Sequence, residues 1–165
     1  MSNGFTLIEA LVALVVLTVA IGPAIALAGS ALRISTSIKD NLIATGLAQE
    51  GIEVVRSIRD DNWLTDTAFE SGLGSCQIGC SVSWGTGVDT EQPIGTQQNE
   101  FLSLDPATGR YGYALSDKSI FKRVITIIPN PDTSPIELVV TSEVMWKQAG
   151  QDRSVKLESH LFNWK

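Results

Sequence analysis

Apolar residues fill the first part of the chain and then give way to a one-sided pattern. From Ala10 to Leu32 there are 23 residues without a formal charge, most of them Ala, Leu, Val and Ile. A helix of that length crosses a bilayer core of about 30 Å at about 1.5 Å per residue. The pattern therefore predicts a membrane-spanning helix over about 10–32.

Beyond this run, apolar positions recur every three or four residues, which is typical of a helix with one buried face. The predicted stripe consists of Ile34, Ile38, Leu42, Thr45, Ala48, Ile52 and Val55. The first strong stop signal is RDDNW at 59–63. We predict one helix over 5–62, in which Gly46 and Gly51 each cost up to about 1 kcal/mol relative to alanine.

Gly22 and Pro23 stand inside the apolar run. Proline removes a backbone donor and clashes with the preceding turn, and glycine adds conformational freedom. We therefore expect a helix break at this pair, either as a kink or as a locally melted turn.

Three segments with alternating apolar and polar residues close the chain, at 121–128, 136–147 and 154–164. One face of the second segment carries Ile136, Leu138, Val140, Val144 and Trp146, with Ser142 as the exception. The connectors PNPDTSP and QAGQD suit antiparallel hairpins. We predict a sheet of three or four antiparallel strands over 121–164, covered by the helix stripe, and hence an α+β fold.

Residues 64–119 are rich in Gly, Ser, Thr, Asp and Gln, which predicts a long connector. Short strands are expected near Ile78–Trp84 and Tyr111–Leu115. The sequence DPATGRYGY at 105–113 predicts a turn, with sugar or calcium binding as the alternative. We assign 63–165 to one globular domain, with Trp146 and Trp164 as core aromatics.

Charge and reactive residues narrow the function. The net charge is −6, and no basic run interleaved with aromatic residues occurs, so nucleic-acid binding is not expected. His160, the only histidine, lies on a predicted strand without an acid or nucleophile at a motif spacing. No phosphate-binding glycine loop occurs either, so we predict neither an enzyme nor a cofactor.

The two cysteines, Cys76 and Cys80, are spaced as CQIGC. In an extracytoplasmic domain this spacing favours a small disulfide-closed loop, with free thiols as the alternative. A metal site is not expected, because one such pair supplies only two ligands.

Glu9 places a carboxylate just before the uncharged run. An ionised carboxylate in a membrane helix costs several kcal/mol unless it is paired, so such a residue suggests a function and a partner. The alternative is a position at the lipid headgroups in the first helical turn, where the helix dipole favours an acid.

The sequence GFTLIE at 4–9, followed by a long apolar helix, resembles the class III signal of type IV pilins and type II secretion pseudopilins. The resemblance implies that prepilin peptidase cleaves the leader, 1–4, between Gly4 and Phe5, and methylates the new Phe5 amine. It also implies that Glu9 pairs with the Phe5 amine of a neighbouring subunit. The leader departs from the family in lacking Lys and Arg.

The C-terminal segments FKRVITIIP, ELVVTSEVMW and RSVKLESHLFNW resemble minor pilins and minor pseudopilins, and AQEGIEVVRSIRDDNW resembles the helix end of bacterial pilins. The resemblance implies a pilin-like fold, in which a long N-terminal helix, transmembrane in its first half, packs on a small antiparallel sheet. It implies a structural subunit of a type IV pilus, of the minor class. Other pilin subunits, of the same or another kind, prepilin peptidase and the pilus assembly platform would be its partners.

Before assembly the protein would lie in the cytoplasmic membrane, with a cytoplasmic N-terminus and the domain outside, and afterwards in a surface pilus or pseudopilus. The alternatives are a type II secretion minor pseudopilin, a tip pilin that binds a ligand through 64–119, and a plain single-pass anchored domain. A signal peptide cleaved near ALAGSA at 26–31 is a further alternative, although nothing basic precedes the apolar run.

Overall fold

The computed structural model describes residues 4, 6–73, 76–82, 94–95, 101–113, 117–130, 132 and 137–163. Within these ranges the chain forms one helix, α1 (Leu7–Leu64), and seven strands. The strands are β1 (Ser81–Val82), β2 (Ile94–Gly95), β3 (Phe101–Leu104), β4 (Tyr111–Gly112), β5 (Lys118–Asn130), β6 (Glu137–Gln148) and β7 (Gln151–Phe162). Five of the strands form an antiparallel sheet in the order β4-β3-β5-β6-β7, and β1 pairs with β2. The α+β prediction of a long N-terminal helix and an antiparallel sheet is confirmed.

The chain divides into two compact units, Met1–Asp40 and Asn41–Lys165. The described part of the first unit is almost entirely helix, and none of its described residues is buried. Near the N-terminus, α1 is long and apolar enough to cross a membrane. This agrees in length and composition with the span predicted over about 10–32.

The helix is continuous through Gly22 and Pro23, so the predicted melted turn is wrong, whereas the alternative of a kink stays a prediction. Proline removes a single backbone donor, which leaves one carbonyl in the preceding turn without its helical partner. The neighbouring apolar residues keep their own hydrogen bonds, and membrane helices tolerate such a loss. One missing bond is therefore not sufficient to interrupt the helix.

The second unit is built around the hairpins β5-β6 and β6-β7. Asn130 pairs with Glu137 across the first hairpin, and Gln148 pairs with Gln151 across the second. Ala149 and Gly150, which connect β6 to β7, have φ angles of 50° and 79°. Two residues with positive φ make the type of tight turn that matches the twist of an antiparallel pair. Both hairpins predicted from the connectors are confirmed.

The core of the second unit lies between the sheet and the last part of α1. On β6 the side chains of Leu138, Val140, Ser142, Val144 and Trp146 are all buried. The alternation predicted for this strand is therefore confirmed, and Trp146 is a core aromatic, only 4% exposed. Ile136 and Trp164 lie outside the described residues.

The predicted helix stripe is correct only in its last part, where Ala48, Ile52 and Val55 are buried. Ile34, Ile38 and Leu42 are 59%, 63% and 73% exposed. The buried residues of α1 are Ala44, Leu47, Ala48, Gly51, Ile52, Val54, Val55 and Arg59. The sheet covers α1 only from Ala44 onwards, so an apolar repeat before that point has no described partner surface in this chain.

The sheet also contains more strands than predicted, because β3 was missed. This strand is four residues long, and its two central residues, Leu102 and Ser103, are both buried. Adjacent buried residues do not give the alternation from which a strand is recognised. The pairing of β3 with β5 shifts register between Phe101 and Ser103. This irregularity lets Leu102 and Ser103 both face the interior. Of the strand expected near Ile78–Trp84, residues 78–82 are described: Ile78 lies in a turn, Cys80 forms an isolated bridge with Ile125, and only Ser81–Val82 form a strand, β1.

Candidate processing and assembly site

The first turn of α1 begins with a threonine cap. The Glu9 amide donates to Thr6 Oγ1 at 3.4 Å and to the Thr6 carbonyl at 3.1 Å. Thr6 precedes the first helical residue, and Glu9 lies three positions later, the spacing of a capping box. The cap satisfies an amide that has no partner within the helix. It also fixes where Glu9 lies relative to the start of the helix.

The Glu9 carboxylate lies at one end of a shallow, open groove along the helix surface. The groove is lined by Ile8, Glu9, Val12, Ala13, Val16, Leu17 and Ala20. No other described residue is bonded to the carboxylate. The site therefore combines an acid with an apolar surface, so burial of this surface would require a positive partner for Glu9.

Of the residues predicted for processing, Gly4 is described and Phe5 lies outside the described residues. A Cβ atom added to Gly4 would meet nothing within 4 Å. Gly4 is thus accessible, as a scissile position requires.

A buried arginine, which the sequence analysis missed, joins three segments of the second unit. Arg123 on β5 is 1% exposed. It donates from Nη1 to the Leu47 carbonyl of α1 at 2.8 Å, and from Nη2 to the Val82 carbonyl of β1 at 2.5 Å. The Glu50 carboxylate lies 3.5 Å from Nη1. A signal was present in the sequence, because Arg123 shares the parity of the apolar residues Phe121 and Ile125 on the strand.

The helix packs tightly against the sheet at Gly51. A Cβ atom on Gly51 would lie 2.6 Å from Ile125 Cδ1, 2.8 Å from Ser142 Oγ and 3.2 Å from Arg123 Cδ. Only glycine leaves enough space for this approach. The same contact explains why the small Ser142 interrupts the apolar face of β6.

Cys76 and Cys80 are joined by a disulfide, and both are buried. Cys80 also extends the sheet, because its amide donates to the Ile125 carbonyl at 2.8 Å and its carbonyl accepts from the Ile125 amide at 2.9 Å. Two residues later, Val82 supplies the carbonyl that Arg123 binds. The disulfide loop is therefore attached directly to the edge of β5.

His160 contacts two carboxylates on β6 and β7. Its Nδ1 hydrogen-bonds Glu137, and its Nε2 lies 3.2 Å from Glu158 Oε1. The hydrogen bond to Glu137 raises the pKa of His160, and the same bond lowers the pKa of Glu137. Asn130 donates a further bond to Glu137 at 2.9 Å. No acid lies at a motif spacing from His160 in the sequence, and it is strand pairing that brings Glu137, 23 positions away, into contact with it.

Residues 105–110 of the segment DPATGRYGY form the turn between β3 and β4, as predicted. Asp105 accepts hydrogen bonds from the Thr108 hydroxyl at 2.7 Å and the Ala107 amide at 2.9 Å. These bonds lower the pKa of Asp105, with the Thr108 bond contributing most. Among the described residues, no group of three or more His, Cys, Asp or Glu side chains is placed to hold a metal ion.

Comparison with protein families gave a match at the start of the sequence. Residues 1–25 match the family model described as the prokaryotic N-terminal methylation motif. Comparisons with curated proteins and with solved structures gave no significant match. The match covers Gly4, Thr6 and Glu9 and the part of the apolar run from 10 to 25. It supports a prepilin-type signal, and with it a pilin-like or pseudopilin protein that prepilin peptidase processes.

Proposed function

We propose that this chain is a structural subunit, of the minor class, of a type IV pilus or a related filament. The observation that carries the proposal is the coincidence of a prepilin-type signal with Glu9 at the start of an exposed apolar helix. A filament core supplies what the single chain lacks, because neighbouring helices would bury the apolar surface and an amine would neutralise the acid.

Processing would create that amine. Cleavage between Gly4 and Phe5 removes the leader, 1–4, and leaves a new N-terminus four residues before Glu9. Methylation of the Phe5 amine would leave it basic and able to donate to a carboxylate. An unpaired carboxylate in an apolar core is costly, whereas a paired one is tolerated. Pairing with a neighbour would therefore favour one register of subunits over others.

The proposed division of the chain follows from this assembly. The helix α1 (Leu7–Leu64) would lie in the membrane over about 10–32 before assembly, and the globular domain after it would lie outside. A disulfide in that domain fits an oxidising compartment. Other pilin subunits, prepilin peptidase and the assembly platform are the proposed partners, and the surface filament is the proposed final location.

Recovery of the chain in filaments tests the proposal. The chain, tagged at its C-terminus, is expressed in cells that assemble type IV pili, and filaments sheared from the surface are separated from membranes. We expect the chain in the filament fraction, and only in the membrane fraction when prepilin peptidase is deleted. Uncleaved chain in the membranes of cells that assemble their own major pilin would contradict the proposal.

A further inference from the structure

We infer that Arg123 couples the Cys76–Cys80 disulfide to the packing of α1 on the sheet. On this inference, the helical turn from Leu47 to Gly51 is stable against local opening only while the disulfide is intact. The inference goes beyond the proposed function, because it concerns the fold of one chain whether or not that chain assembles.

The first link runs from the disulfide to Val82. The bridge closes the short loop between Cys76 and Cys80, and the two backbone bonds between Cys80 and Ile125 hold the end of that loop on β5. Val82 follows two residues later and is fully buried. Opening the loop gives the chain before β1 more conformational freedom. The position of the Val82 carbonyl therefore depends on the bridge.

The second link is the guanidinium. A buried guanidinium carries five donors, each of which is costly to leave without an acceptor. Among the described residues, the carbonyls of Leu47 and Val82 are its hydrogen-bond acceptors, and Nε has none. Glu50 adds an opposite charge at 3.5 Å. Loss of the Val82 carbonyl would leave one hydrogen-bond acceptor, so the side chain would move towards water and release Leu47.

The third link is the helix itself. Gly46 and Gly51 flank the turn that Arg123 binds, and glycine weakens a helix relative to alanine. This turn therefore depends on contacts with the sheet more than its neighbours do. Without the bond from Arg123 to Leu47, the backbone hydrogen bonds of this turn would open more often, and its amides would exchange faster with solvent.

Hydrogen exchange of the full-length chain in detergent micelles, followed by mass spectrometry, tests the coupling. The variants are Arg123→Met, the double variant Cys76→Ala with Cys80→Ala, and the combination of all three changes. The matched control is Arg59→Met. Arg59 is likewise a buried arginine, but it lies on α1, and its contacts among the described residues are with Asp60 and Trp63.

We expect the arginine and the cysteine variants each to raise exchange at 47–51 by at least tenfold, with the β6-β7 amides unchanged. The combined variant should exchange there no faster than the faster of the two, because both changes break the same connection. The control should leave 47–51 unchanged.

Unchanged exchange at 47–51 in the cysteine variant would overturn the inference, and so would a combined effect equal to the product of the two. If either variant fails to fold, Arg123→Lys and the double variant Cys76→Ser with Cys80→Ser take their places. Arg123→Lys retains the charge without the forked donors. The same two criteria then apply.

Discussion

Gly51 of α1 and Ser142 of β6 face each other so closely that a Cβ atom on Gly51 would lie 2.8 Å from Ser142 Oγ. Both residues are buried, and Ile125 Cδ1 lies nearer still, at 2.6 Å from the same point. Two small residues at one crossing let the helix and the sheet approach closely. Neither residue is a typical choice for its element, since glycine weakens helices and serine carries a polar atom into the core.

Alanine at Gly51 should destabilise the folded chain. The substitution gains about 1 kcal/mol of helix propensity, but overpacking of a tight core costs about 1–3 kcal/mol. We expect a net loss of up to about 2 kcal/mol in the free energy of unfolding, measured by urea denaturation. The matched control is Gly46→Ala, where a Cβ atom would meet nothing within 4 Å. That variant should be more stable by up to about 1 kcal/mol, and equal effects at the two positions would contradict the packing described.

The contact between His160 and Glu137 predicts a pH-dependent contribution to stability. The raised pKa of His160 gives stabilisation that is complete below its ordinary value of 6.5 and is lost as pH rises through the folded-state value. The lowered pKa of Glu137 gives stabilisation that is complete above its ordinary value of 4.5 and is lost as pH falls through the folded-state value.

The difference in stability between the wild-type chain and His160→Gln should therefore be largest between pH 4.5 and pH 6.5. The midpoint of urea unfolding, measured from about pH 3 to about pH 9, gives this difference. Glu158 also contacts His160, so Glu158→Gln is the control. It should reduce the pH-dependent difference in stability without abolishing it. A difference that does not change with pH would show that the ionised pair contributes nothing.

The cysteines should be unreactive towards thiol reagents until they are reduced. Both are almost fully buried, so labelling of the native chain cannot distinguish a bridge from shielded thiols. The measurement is therefore made in denaturant, with and without a reductant. We expect no labelled cysteine without reductant and two with it. Two labels in denaturant alone would show that the thiols are free.

Glu9→Val should leave membrane insertion intact, because the apolar helix is retained, and should reduce recovery in sheared filaments by at least tenfold. The reason is the loss of the proposed ion pair with a neighbouring Phe5 amine. Glu53→Val is the control, since Glu53 is a helical carboxylate 54% exposed and paired with Arg56. Normal recovery of the Glu9 variant would contradict the pairing.

Local sequence patterns were sufficient for the helix and the long hairpins. The tight turn at Ala149 and Gly150 and the alternation on β6 follow from residues close together in the chain. Features that depend on distant pairing were not predicted, such as the contact of His160 with Glu137. The position of Arg123 on the buried face of β5 was visible in its parity, but its acceptors on α1 and β1 were not.

For the site at the N-terminus, by contrast, the sequence predicted more than the structure of one chain adds. Gly4, Phe5 and Glu9 were identified from a short motif, which the match over residues 1–25 supports as a prepilin-type signal. The fold of one chain adds the threonine cap and the groove beside Glu9. Under the proposed function, Glu9 pairs with the amine of a neighbouring subunit, and a single chain would not contain that partner.

The most direct test of the account is the intact mass and N-terminal sequence of the chain recovered from membranes that contain prepilin peptidase. The account predicts a mature protein that begins at Phe5 and carries one methyl group on its amine. A chain that still begins at Met1 in the presence of active peptidase, or one cleaved near Ala28, would contradict it.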